Sequence, residues 1–188
     1  SYSVRELDGA KYLSGEEDEK GVRPRLAARL RLDRKIPFYF IEIDYPDDEF
    51  RTMEVLVQFA RRPEGCKQYP TTLQCGVMSG EEYPLSKKVV TSRYLYWTES
   101  EDAAVVFRPA AETLSQAIAV SAIRVYRPKT AALPDAMPCS TANWERRRHF
   151  AFYFEDMPIS TLFARNFAAP GQLQEHLDRQ IAYMKYCG

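Results

Sequence analysis

The chain has 188 residues, of which 45% are hydrophobic, 28% charged and 13% aromatic, with a formal net charge of zero. That length suits one domain, or one domain with an appendage, and that apolar fraction supports a packed core rather than a disordered chain. Balanced charge argues against a nucleic-acid binder, which carries a basic excess, and no apolar run approaches the roughly 20 residues of a membrane-spanning helix.

Strand patterns dominate the first two thirds. Leu26, Ala28, Leu30 and Leu32 alternate with Ala27, Arg29 and Arg31, the period-two signature of a strand with one solvated face. Tyr39, Ile41, Ile43 and Tyr45 then share one face, and Met53, Val55, Val57 and Phe59 share another. Between them Pro46-Asp47-Asp48-Glu49 supplies turn chemistry, so residues 36–59 are expected to form a hairpin. A charged, Pro- and Gly-containing loop follows over Arg61 to Pro70. Further strands are expected around Leu73, Cys75 and Val77, over Val89 to Trp97, and over Ala103 to Arg108. In the second of these, Leu95 and Trp97 share a face, and Trp97 is expected in the core.

Ala117 to Tyr126 reads as a long strand with a change of phase. Ile118 and Val120 have one parity, Ile123 and Val125 the other; a β-bulge near Ser121-Ala122 would turn all four to the core. Roughly seven to nine short strands without helical periodicity between them indicate a mainly β fold, a two-sheet antiparallel β-sandwich. It is expected to span residues 1–127.

Pro128, Pro134 and Pro138 mark residues 128–148 as a linker. Phe150 to Phe154 is a continuous apolar run suited to a buried strand. Pro170 opens a helical pattern in which Leu173, Leu177, Ile181 and Met184 form a stripe, with Glu175 and Arg179 as an ion pair one turn apart. Residues 149–188 are therefore expected to be a strand-plus-helix appendage.

Two stretches resemble known families. The closing Ala117–Tyr126 strand, with its Ile123-Arg124-Val125-Tyr126 run, and the Ile36–Phe59 segment with Tyr45-Pro46-Asp47-Asp48 resemble galactose-binding-like jelly rolls, a group that often serves as carbohydrate-binding modules. Phe150 to Gly188 resembles the opening βα unit of a glycoside-hydrolase (β/α)₈ barrel. In such a barrel Glu155 and Asp156 would lie at the strand's C-terminal end, where active sites are built. The resemblance implies an accessory module of a larger, extracellular or periplasmic glycan-active enzyme. Its partners would be carbohydrate, or a catalytic domain of the same parent chain. The start at Ser1 rather than Met is consistent with a trimmed chain.

Little catalytic chemistry is legible. The two histidines, His149 and His176, adjoin no nucleophile motif, and no glycine-rich phosphate loop occurs. Glu155 and Asp156 are adjacent, so on a strand they point to opposite faces and cannot act as a carboxylate pair. Arg146-Arg147-Arg148 is a charge cluster of the kind a solvated linker carries. Cys66, Cys75, Cys139 and Cys187 form no CxxC pair, so a structural zinc is not expected. Cys66 and Cys75 either bridge a loop or pack as free thiols.

Two candidate sites remain. Asp44, Asp47 and Asp48, with Glu49 beside them, offer the oxygen ligands of a structural calcium, although a turn accounts for Asp47 and Asp48 equally well. Sugar binding asks for aromatic faces and planar polar groups. Tyr69, Tyr83, Tyr96, Trp97 and Trp144 are the aromatic candidates, with Arg93 and Glu99 as hydrogen-bonding partners. A spacer domain that binds nothing, and an N-terminal fragment of a glycoside hydrolase, are the competing readings.

Overall fold

A computed structural model describes residues 1–17, 19, 24–80, 84–110, 117–130, 171, 174–175, 177–179 and 181–182. The chain divides into two units, Ser1–Lys129 and Thr130–Gly188. The first is an antiparallel β-sandwich. Its described strands are β1 (Tyr2–Leu7), β2 (Ala10–Gly15), β3 (Leu26–Arg31), β4 (Phe38–Pro46), β5 (Arg51–Phe59), β6 (Thr71–Ser79), β7 (Val89–Trp97), β8 (Asp102–Pro109), β9 (Ile118–Val120) and β10 (Ala122–Tyr126).

Among the described residues, the strands form three hydrogen-bonded sheets, in the orders β1-β2-β9, β10-β4-β7 and β3-β8-β5-β6. β9 leads into β10 through Ser121, whose N–H donates to the Asp44 carbonyl at 2.8 Å. The first two sheets thus continue one another as a single layer facing the third. Side chains from both layers meet between them: Ile41, Ile43, Tyr96, Ile118 and Val120 from one, and Met53, Val55, Val57, Val105 and Phe107 from the other. Apolar burial between two extended layers is the main source of stability in such a fold.

The order has a jelly-roll form. Passing from β2 to β9, the chain changes layer at every connection except β5 to β6. This corrects the expected hairpin over residues 36–59. β4 pairs with β7 and β10, whereas β5 pairs with β6 and β8. The turn at Asp47 and Asp48 is an arch between layers. Parity alone is satisfied by either arrangement, because in both the apolar faces of β4 and β5 point into the same core.

Arg51, only 1% exposed, ties that arch down. Its guanidinium donates to Asp48 Oδ1 at 2.7 Å and to the Ala117 carbonyl at 2.9 Å, and Tyr12 donates its hydroxyl to Asp48 Oδ2 at 2.9 Å. Burial pulls the Asp48 carboxyl upward, but Arg51 and Tyr12 outweigh it and hold it below the usual range. A buried charge is tolerated only when paired in this way.

The phase change before Tyr126 is real and has a different cause from the expected bulge. Ser121 is the point where the strand leaves β2 for β4. Ile118 and Val120 lie in the core, and Ile123 and Val125 pack against it. The β1–β2 hairpin adds strands beyond the expected number. Asp8 and Gly9, at φ +52° and +76°, make its two-residue turn, a conformation that Asp-Gly adopts readily.

In the second unit, residues 174–175, 177–179 and 181–182 are helical. Glu175 and Arg179 form the expected ion pair. Leu177 and Ile181, two members of the expected stripe, are exposed. The expected linker from residue 131 onward, the Phe150–Phe154 strand, Glu155 and Asp156, Trp144 and the Arg146–Arg148 run lie outside the described residues.

Candidate functional site

The alternation that sends Tyr39, Ile41 and Ile43 into the core sends Phe38, Phe40, Glu42 and Asp44 to the opposite, outward face of β4. Register decides what meets them there. Phe38 stands opposite Trp97, Phe40 opposite Leu95, Glu42 opposite Arg93 and Asp44 opposite Thr91 on β7. From β10, Tyr126 stands opposite Phe40, and Arg124 opposite Glu42. The face therefore carries an aromatic end and an ionic end. Successive outward positions along β4 are about 7 Å apart.

At the aromatic end, Phe38 meets Phe40 and Trp97 edge-to-face, with ring centroids 5.7 Å and 5.5 Å apart. Phe38 is 1% exposed, whereas Phe40 and Trp97 are half-buried and Tyr126 is exposed. The buried ring supports the outer two, the usual preference for T-shaped contacts.

At the ionic end, Arg93 Nε donates to Glu42 Oε1 at 2.8 Å, and its Nη2 reaches the same oxygen. Arg124 Nε donates to Glu42 Oε2 at 3.1 Å. The other two nitrogens of Arg124 fork onto Asp44, at 2.5 Å and 2.6 Å. Thr91 Oγ1 also donates to Asp44, at 2.6 Å. The Arg93 guanidinium holds the Glu42 carboxyl below the usual range; burial opposes this, and Arg124 and the Tyr126 hydroxyl add to it. Arg124 likewise holds Asp44 down, against burial and with help from Thr91. Two carboxylates and two guanidiniums thus interlock on this face, beside the aromatic rings.

The sequence-predicted residues divide as follows. Arg93 and Trp97 come together on this face. Tyr96 does not: it is 0% exposed and points into the core, its hydroxyl accepting from the Glu99 N–H at 3.3 Å and lying 3.4 Å from Thr72 Oγ1. Tyr96 is thus corrected from ligand candidate to core residue, and Trp97 from core residue to surface ring. The cause is that β7 buries its Tyr94–Tyr96 parity against the facing sheet. Glu99 is half-buried in the connection after β7, and Tyr69 is exposed in the β5–β6 loop, between strands of the other sheet. Tyr83 lies outside the described residues.

The three aspartates are not gathered. Asp44 serves Arg124 and Thr91, Asp47 accepts from the Ser86 N–H at 2.8 Å, and Asp48 serves Arg51 and Tyr12. Among the described residues, no group of three His, Cys, Asp or Glu side chains assembles at metal-binding spacing. Cys66 and Cys75 are free; Cys66 is exposed, and burial pushes the Cys75 thiol up to about 12.

Sequence reasoning passed over Phe38, Phe40, Glu42, Arg124 and Tyr126. Their shared parity on β4 and β10 was available as a signal. Their union with Arg93 and Trp97 was not, because it depends on which strands pair.

Comparison with known proteins adds only a distant likeness. No family model and no curated protein matches the sequence. Among solved structures, the chain is similar to one titled "CBM4 structure and function". The two are 15% identical, the match covers 68% of this chain and 78% of that one, and the TM-score is 0.44.

Proposed function

We propose that this chain is a non-catalytic β-sandwich accessory module that binds carbohydrate through the outward face of β10, β4 and β7, within a larger secreted glycan-active protein. The observation that carries the reading is the juxtaposition of the Phe38–Phe40–Trp97 cluster with the Glu42–Arg93–Arg124–Asp44 network on one face. In this reading the Trp97 ring takes the C–H side of a sugar and the exposed Arg93 guanidinium meets its hydroxyls, while the buried Glu42 holds Arg93 in position. Lodged in pairs, these polar groups are held in place before a ligand arrives, which lowers the entropy cost of binding. The parent enzyme in this reading rests on the resemblance of Phe150 to Gly188.

The test is calorimetric titration of the intact chain with neutral oligosaccharides chosen from a glycan array. Binding is expected for one glycan class, with at least a tenfold loss in Trp97→Ala, equivalent to about 1.4 kcal/mol. Blank binding across plant, microbial and host glycans would leave the spacer reading in its place.

A further inference from the structure

A second charged cluster lies on the other sheet, and its charges do not cancel. Asp102 opens β8 opposite Arg31, the last residue of β3. Arg29, two residues back on the same outward face, grips Asp102 as a fork: Nε donates to Oδ1 at 2.6 Å, and Nη2 reaches Oδ2. Arg61 arrives from the end of β5. The Ala60 N–H donates to the Asp102 carbonyl at 2.9 Å and holds that segment beside β8.

Three guanidiniums therefore converge on one carboxylate. Arg29 occupies both oxygens in a bidentate pair. Arg31 Nη1 and Arg61 Nε each stand 3.5 Å from one of those oxygens. Among the described residues, neither side chain donates a hydrogen bond. Each guanidinium has five N–H donors, and the two side chains are 70% and 80% exposed. Two positive charges are thus brought to one spot by backbone pairing and left unmatched. The excess is local, since the whole chain carries 26 basic and 26 acidic residues.

We propose that Arg31 and Arg61 together bind a tetrahedral oxyanion, a sulfate or phosphate group, that bridges their guanidiniums beside Asp102. A planar carboxylate is satisfied by one fork, as Arg29 and Asp102 illustrate. A tetrahedral dianion presents separate edges to two forks and matches two charges. The group can come as the free ion or as an ester on a polymer. The site stands apart from the aromatic face and does not rest on the sugar-binding reading.

The experiment is an NMR titration of the intact chain, following the Nε–H resonances of Arg31 and Arg61. Sodium sulfate replaces sodium chloride at constant ionic strength, so that general screening stays fixed. Both resonances are expected to shift saturably while the Trp97 indole N–H stays still. The double variant Arg31→Ala, Arg61→Ala, checked for fold by circular dichroism, should lose the effect. Arg31→Lys with Arg61→Lys keeps the charge without the fork and should weaken binding several-fold. Parallel arms use inorganic phosphate, heparin and desulfated heparin. Heparin binding that depends on sulfation and on both arginines identifies the ester as the source; a response to the inorganic ions alone identifies the free oxyanion. No saturable shift with any probe, or a sulfate response undiminished in the double alanine variant, overturns the proposal. Trp97→Ala should leave the sulfate response intact, which separates failure here from failure of the sugar face.

Discussion

The outward faces of the two layers use arginine in opposite ways. On β10, β4 and β7, Arg93 and Arg124 pair with Glu42 and Asp44, and this network lies beside aromatic rings. On the other layer, Arg29 and Arg31 of β3 and Arg61 from just after β5 share the single carboxylate of Asp102, at the start of β8. The first set has one carboxylate for each guanidinium, whereas the second gathers three guanidiniums on one carboxylate. The same residue type acquires different chemistry from the number of carboxylates that strand register places opposite it.

The largest expected effect separates the inside of β7 from its outside. Tyr96→Ala empties a fully buried position and should cost about 3 kcal/mol or more, whereas Trp97→Ala, one residue away on the surface, should cost about 1 kcal/mol. Urea denaturation of both variants measures the contrast; equal losses would mean that the assigned faces are wrong.

A smaller effect should appear with pH. Glu42 and Asp44 have folded pKa values below their ordinary ones. Their contribution is then fully present above the ordinary carboxylate value of about 4 and is lost as pH falls through the lowered folded values. The urea midpoint should therefore fall on acidification below about pH 4, and less steeply in Glu42→Gln. An unchanged slope in that variant would remove Glu42 from the account.

The smallest effect is chemical. At pH 8 the exposed Cys66 should react with iodoacetamide, while Cys75, its thiol pushed up to about 12, should not. Peptide-resolved mass spectrometry reads both sites, and equal labelling would contradict the burial of Cys75 against Val55.

Much of the fold was legible because burial follows parity. The inward rows Tyr39–Ile41–Ile43 and Met53–Val55–Val57 could be read directly, as could the change of phase at Ser121. The Asp8-Gly9 turn also carried a hairpin signal, although the strands around it were passed over. Arg93 and Trp97, both singled out from the sequence, lie on the same outward face. Tyr96 was misplaced because Tyr94–Tyr96 and Leu95–Trp97 are both apolar pairs, and a strand with two apolar faces does not say which one lies inside.

The sequence by itself determined that this protein forms extended strands, and for most of them which side chains share a face, because alternation is a local property of the backbone. The tertiary structure alone decided that β4 and β5 part into different layers, that Glu42 meets Arg93 and Arg124, and that Asp102 meets three arginines. Those pairings join residues distant in the chain, and hydrogen bonding between strands, which is blind to side-chain identity, leaves no local mark of the partner it selects.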